Sequence, residues 1–359
     1  FKKNSKKYKA ERTLVNSEIA YKDGFEASYF EVQIDQLIPN TIYAYRVGNF
    51  HFKSEWHHFK TANNLSTPIS FLYVGDAQNY ILELWSRVVR NAYKTAPDAD
   101  FFIHAGDLVD KGHEEIDWNE WFAAGGFIHS EIPAIAVPGN HEYQFLDGSL
   151  FSQDEVLSVQ WNAQFGFPKN GPKELEKTCY YIDYPDLKII ALNSNVAIRR
   201  QAKWLREVLK KNEKKWTIVT YHHPVFSASS MRNNREIRSQ WQPIFEEFNL
   251  DLALQGHDHT YARGAIYEKP VMVKNDIEGN NIVGPVYVVS VSGAKMYSLD
   301  KSGWDKFGAT QGKTGERIQL FQHISINGDR LIYRSFDATG DLFDRFELLK
   351  ENGKNKYID

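Results

Sequence analysis

Four times after Pro68 an apolar run stops abruptly on polar residues: "ISFLYVGD", "DFFIHAGD", "KWTIVTYHHP" and "LDLALQGHDH". Runs this continuous suit strands covered on both faces. Stretches of helical periodicity alternate with them, namely "ILELWSRVVRNAYKT", "DWNEWFAAGGFIHS" and "IRSQWQPIFEEFN", and a strand-like "GPVYVVSVSG" follows the last run. This alternation constrains the larger part of the chain to an α/β layer structure. Two hairpins, "YYIDYPDLKIIALN" and "SINGDRLIY", add antiparallel strands, the second around an Asn-Gly turn.

Upstream the texture differs. From Glu26 to Lys60, "EASYFEVQID", "YAYRVGNFHF" and "SEWHHFKTA" alternate aromatic and β-branched residues between Pro, Asn and Gly turns, which predicts a small antiparallel unit. The segment "NNLSTP" reads as a linker, so the expected domains are 1–64 and 65–359. A chain of 359 residues with 42% hydrophobic content can bury the core of two such domains.

Charge limits the partners. Lys+Arg 43 against Asp+Glu 46 leaves a formal charge of -3, so no broad cationic surface for a nucleic-acid backbone or an anionic membrane is implied. An anionic substrate must then be held by local positive charge. The single cysteine, Cys179, excludes an internal disulfide framework and reads as a packed side chain. No apolar stretch approaches the ~20 residues of a membrane span. The basic start "FKKNSKKYKAER", opening on Phe1, is expected to belong to a processed or trimmed product.

The strand ends carry one kind of chemistry: Asp76 in "VGDAQ", Asp107 in "HAGDLVD", Asn140 and His141 in "VPGNHE", His222 in "TYHHP", and His257 with His259 in "QGHDH". Ligands in open α/β sheets bind beyond the carboxyl ends of the strands, so these residues are expected to converge. Two carboxylates, one amide oxygen and three imidazoles suit Zn, Mn or Fe rather than Ca. Six ligands exceed the needs of one open catalytic ion. Two ions about 3.5 to 4 Å apart, sharing a carboxylate, would use them all and leave a surplus of positive charge that favours a phosphate anion.

The ordered series "GDAQ", "GDLVDKG", "GNHE", "VTYHHP" and "GHDHTYAR" resembles the calcineurin-like metallophosphoesterase superfamily from Ile69 onward, and "LIPNTIYAYRVGNFHFKSEWHHFKTA" resembles the fibronectin-III-like domain that precedes purple-acid-phosphatase-type members. The resemblance implies a four-layer αββα sandwich behind a small all-β sandwich. It also implies a binuclear centre, with Asp76 and His259 on one metal, Asn140, His222 and His257 on the other, and Asp107 bridging. His141 would stand over the phosphoryl group and protonate the leaving oxygen or stabilise developing charge. The implied reaction is hydrolysis of a small phosphomonoester by a metal-bound hydroxide, since coordination lowers the pKa of water toward about 7 and neutralises the equatorial oxygens. Likeness to secreted relatives implies an extracytoplasmic location.

Two positions depart from the pattern. Purple acid phosphatases carry a metal-binding tyrosine three residues after the bridging aspartate; here that residue is Asp110, so a colourless enzyme is expected. Where many relatives read Asp-x-His, this chain reads Asp76-Ala77-Gln78, and Gln78 offers at most a neutral amide oxygen. Mn or Fe(II) is therefore expected ahead of Zn at the first position. His223 either lines the pocket or is structural. Asp258 and His113 are candidates for substrate or ligand-supporting contacts; Tyr261 and Arg263 hold the substrate phosphate or close the loop. His104, Trp118 and Trp121 read as core, and His51, His57 and His58 as surface. The alternatives are a phosphodiesterase acting on nucleotides or lipid head groups, and a metal-poor adhesion protein working through the small domain.

Overall fold

Along β5 (Ile69–Val74) the side chains part in two directions, as the period of a strand requires: Phe71 and Tyr73 enter one apolar cluster, Leu72 and Val74 another. The same division recurs in β6 (Phe101–His104), where Phe101 and Ile103 oppose Phe102. The computed structural model describes residues 5–16, 26–145, 155–230, 232–268, 281–300 and 302–359.

Strand β7 (Ala134–Ala136) lies parallel to β6, which is parallel to β5. A second parallel set runs through β11 (Leu187–Ala191), β12 (Trp216–Tyr221), β13 (Leu252–Gln255) and β15 (Ile282–Val289), with β10 (Tyr180–Asp183) antiparallel at its edge. The C-terminal β17 (Leu320–Asn327), β18 (Arg330–Asp337), β19 (Leu342–Glu351) and β20 (Lys354–Ile358) form a meander from β5 round to β15, joining both sets into one continuous hydrogen-bonded path. The inner faces of the two sets pack on each other through Phe71, Ile103, Ile189, Ile218, Leu254 and Val288. Helices cover the outer faces. On one side Val88 and Val89 of α1 (Ser86–Thr95) and Trp118 and Trp121 of α2 (Glu115–Gly125) pack with α3 (Phe127–Glu131). On the other, Leu205 and Leu209 of α5 (Ile198–Lys210) pack with Trp241 and Phe245 of α6 (Arg235–Glu247). Each parallel set is covered on one face by the other set and on the other by helices, so the expected αββα arrangement holds. Sequence reading leaves α5 out although its apolar residues repeat with helical spacing.

The N-terminal region forms two separate two-stranded ribbons, β1 (Glu11–Val15) with β2 (Ala27–Glu31) and β3 (Ile42–Tyr45) with β4 (His57–Lys60). Among the described residues the ribbons do not pair with each other, and each lies on the larger unit. Val15 and Tyr29 pack on Val159 and Ala163 of α4 (Val159–Gln164), Lys177 Nζ donates to Glu31 at 2.7 Å, and the Tyr45 hydroxyl donates to the Ser130 carbonyl at 2.6 Å. No helix among the described residues is long and apolar enough to cross a membrane.

Candidate metal centre

Parallel pairing aligns the carboxyl ends of β5, β6 and β7 in one set and of β12 and β13 in the other, and the bond from His222 Nδ1 to the Ala105 carbonyl brings the two together; each candidate ligand follows its strand by no more than four residues. The chain must turn sharply there. Asp76, Asp107, His257 and His259 accordingly have φ of 51°, 49°, 75° and 48°, a left-handed conformation that costs on the order of 1 kcal/mol or more in a residue with a Cβ. Two glycines admit the turns: a Cβ on Gly139 would meet Asp107 Oδ1 at 2.1 Å, and one on Gly256 would meet Asp76 Oδ2 at 2.5 Å.

Three acceptor atoms stand round His222 Nε2: Asp107 Oδ2 at 3.1 Å, Asn140 Oδ1 at 3.2 Å and His257 Nδ1 at 3.2 Å. Ligand atoms about 3.4 Å apart form the edge of a tetrahedron with bonds of about 2.1 Å, so this quartet fits one divalent ion. His222 Nδ1 donates to the Ala105 carbonyl at 2.8 Å, which fixes the tautomer that leaves Nε2 free for a cation. Beside it, Asp76, Asp107 and His222 offer atoms within 4.8 Å of one another, and His259 Nε2 lies 3.7 Å from Asp76 Oδ1. His259 Nδ1 donates to the Lys295 carbonyl at 3.0 Å, again turning Nε2 inward. A second ion therefore has Asp76, His259 and Asp107 to hold it. Both positions are lined by donors of the mixed oxygen and nitrogen kind that Mn, Fe and Zn accept.

In the protein alone the charges are mutually adjusted. Burial works against the Asp107 carboxylate, yet His222 and His141 hold its pKa below the usual carboxylate range. Burial opposes the charged imidazole of His222, but Asp107 and then Asp76 outweigh it and raise the pKa to about 9. Burial pushes Asp76 well above its ordinary value.

His141 sits at the mouth of this cluster. Its backbone N–H donates to Asp107 Oδ1 at 2.9 Å, and its Nδ1 faces the Asp110 carbonyl at 2.5 Å and the Asp110 carboxylate at 3.4 Å. Asp110 thus orients the imidazole. Gln78 is fully buried, and its amide finds complementary partners when Nε2 donates to Asp107 Oδ2 at 2.8 Å and Oε1 accepts from His141 Nε2 at 2.8 Å. His223 lies in the cluster as well, with a ring nitrogen within 4.8 Å of those of His222 and His257. Ser194 pairs with its Nδ1 at 2.9 Å, and burial, then the charge of His222, lowers its pKa to about 3.

Other candidates are drawn elsewhere. Tyr261 and Arg263 alternate onto the same face of β14 (Tyr261–Tyr267) and turn into the interior, where both bind Asp344: the Tyr261 hydroxyl at 2.6 Å and Arg263 Nε at 2.7 Å. They are structural and do not reach the cluster. Asp258 is buried; its Oδ2 accepts from Ser227 Oγ at 2.8 Å and the Ala228 N–H at 2.5 Å, so it pins the loop carrying Arg232 rather than facing substrate. His113 faces the Val156 carbonyl at 3.3 Å, away from the ligands. His104, Trp118 and Trp121 are buried in the core as expected.

Sequence reasoning misses three participants. Glu142, the last residue of "GNHE", is fully buried and accepts from the backbone N–H groups of Asp107, Leu108, Val109 and Gly139. It ties the loop of Asp107 to the loop of Asn140; its place two residues after Asn140 was the available signal. Lys295 lies beyond the carboxyl end of β15, as the candidate ligands lie beyond theirs, but six residues out. Arg232 lies in a loop without a periodic pattern and carries no such signal.

A helix-covered double sheet that gathers candidate metal ligands on one edge defines the class of α/β protein with which this chain compares. The model of the calcineurin-like phosphoesterase family matches residues 55–261, and the chain belongs to that family. Purple acid phosphatase 21 of Arabidopsis thaliana is 25% identical over 83% of this chain and 65% of its own length. Acid phosphatase type 7 of Danio rerio is 26% identical over 94% of this chain and 81% of its own. The structure of purple acid phosphatase PPD1 from yellow lupin, Lupinus luteus, superposes with a TM-score of 0.75 at 17% identity, covering 96% of this chain and 67% of that one; a structure of PhoD superposes at 0.68 with 12% identity, covering 98% and 86%. The chain spans 65% of purple acid phosphatase 21 and 54% of purple acid phosphatase 15, both from Arabidopsis thaliana.

Proposed function

We propose that this protein hydrolyses small phosphomonoesters with two divalent ions, one held by Asp76, His259 and Asp107, the other by Asp107, Asn140, His222 and His257. The observation that carries the reading is the quartet round His222 Nε2, with three acceptor atoms at 3.1 to 3.2 Å, sharing Asp107 with the neighbouring Asp76 and His259. The ions, when bound, acidify water and neutralise phosphoryl oxygens.

The remaining work falls to side chains. His141, oriented by Asp110, directs Nε2 across the mouth of the cluster and is suited to hand a proton to the leaving oxygen. His223, kept neutral by burial and oriented by Ser194, offers a hydrogen bond to the phosphoryl group. Gln78 steadies Asp107, its Nε2 donating to Oδ2. The same proposal assigns residues 1–64 to a fibronectin-III-like unit, 65–359 to the catalytic unit, and the protein to an extracytoplasmic setting; the N-terminal strand pairs support the first, and likeness to purple acid phosphatases supports the last.

Metal analysis with turnover of p-nitrophenyl phosphate tests the proposal. Two ions per chain are expected, with Asp107→Ala losing both ions and activity, and His141→Ala losing turnover by about 100-fold or more with metal retained. Turnover of bis-p-nitrophenyl phosphate alone would replace the monoesterase reading with the phosphodiesterase one.

A further inference from the structure

Two cations at the rim of the metal centre are unused by the roles above. Lys295 spans the edge of the cluster: its carbonyl accepts from His259, and its Nζ lies 3.3 Å from Gln78 Oε1, the same atom that faces His141 Nε2. Among the described residues no carboxylate lies within 4.0 Å of this ammonium. Arg232 approaches from the loop before α6. Its Nη1 donates to the His257 carbonyl at 2.8 Å and stands 3.7 Å from Asp258 Oδ1, and among the described residues the rest of its fork of donors meets no other partner.

Tyr297 joins the two. Its ring tilts against His259 with centroids 4.7 Å apart, while the Arg232 guanidinium stands 5.1 Å and Lys295 Nζ 5.9 Å from the same ring. Both cations are partly exposed and are thereby held beside the ligands and His141, on the side open to solvent.

We propose that Lys295 and Arg232 grip the non-bridging oxygens of a dianionic phosphoryl group, and that this grip sets a preference for phosphomonoesters over phosphodiesters. The inference rests on the hydrolytic reading above and names its substrate class. A monoester presents three non-bridging oxygens and two negative charges near neutral pH. A diester presents two such oxygens and one charge, with a second ester carbon in place of the third oxygen. Fixed ammonium and guanidinium groups gain from the third oxygen and gain nothing from an alkyl or aryl arm. Charge-assisted hydrogen bonds of this kind change affinity by about 10- to 100-fold each.

The test compares wild type with Lys295→Met and Arg232→Met, which keep the apolar stems. Each variant is expected to lose about 10-fold or more in kcat/KM on p-nitrophenyl phosphate, mainly through KM, and much less on bis-p-nitrophenyl phosphate. Calorimetric affinity for inorganic phosphate should fall by a similar factor, Lys295→Arg should recover part of it, and metal content should stay at the wild-type level. Equal losses on both esters, or unaltered phosphate affinity, would overturn the proposal. If wild type hydrolyses neither ester, the hydrolytic reading fails. Phosphate binding lost in Lys295→Met would then still support the rim, and binding retained would overturn the rim too.

Discussion

Asp110 illustrates how one residue can depart from a family pattern without leaving the site. In place of a metal-binding tyrosine it presents a short side chain and a carbonyl to His141 Nδ1. Asp110→Ala should therefore lower kcat by about 10-fold with both ions retained, because the carbonyl contact survives while the carboxylate is lost. Measured metal loss in that variant would make Asp110 a ligand instead. Glu142 acts one layer deeper, its carboxylate serving four backbone donors that a glutamine, with a single acceptor oxygen, cannot all satisfy. Glu142→Gln is expected to weaken metal affinity by about 10- to 100-fold with the far-ultraviolet circular dichroism unchanged. Equilibrium dialysis against Mn or Zn measures it.

At the scale of elements, the loops after the strands do the positioning, and their tolerance is small. Gly256→Ala would drive a methyl group to within 2.5 Å of Asp76 Oδ2 and 2.8 Å of the Ala105 carbonyl. The variant should fold with loss of the ion held by Asp76, read as one metal per chain in place of two. These loops also set what the sequence can reveal. The candidate ligands are legible because unusual residue types stop long apolar runs, and an α/β layer structure is legible because those runs have two buried faces, whereas the four-layer αββα order comes with the family resemblance. Tyr261 and Arg263 mislead because nearness to "GHDH" along the chain is undone by the period-two alternation of β14, which points both toward Asp344. Arg232 is reached only through the tertiary path of its loop, which no local pattern encodes. The N-terminal ribbons are legible as strands, but their docking on α3 and α4 depends on contacts such as Tyr45 with Ser130 that lie far apart in sequence.

For the whole molecule, the outer helical layer carries a liability to acid. His104 and His129 lie against Trp85 and Trp121, and the Nε2 of each is buried without a partner among the described residues. Burial lowers the pKa of His129 to about 4 and that of His104 well below its ordinary value, so both stay neutral in the folded state. Unfolding restores values near 6.5, and the unfolded chain then binds more protons. Stability from these groups is whole above about pH 6.5 and falls with acidification, at up to about 1.4 kcal/mol per pH unit for each, until the folded His129 titrates near pH 4. Urea midpoints between pH 7 and pH 5 should show the decline, and His129→Phe should flatten it. An unchanged slope in that variant would place the acid sensitivity elsewhere.

The candidate ligands come from both halves of the sheet system: Asp76, Asp107 and Asn140 follow β5, β6 and β7, whereas His222, His257 and His259 follow β12 and β13. The outer neighbour of β5 is β17, which begins only at Leu320. During synthesis the first half must therefore wait, its edge unpaired, until the ribosome has delivered β17. A site that draws candidate ligands from both halves is complete only after His259 has been made and the two halves have closed on each other. The ion supply of the space in which they close then joins intrinsic affinity in deciding which metal such a site takes.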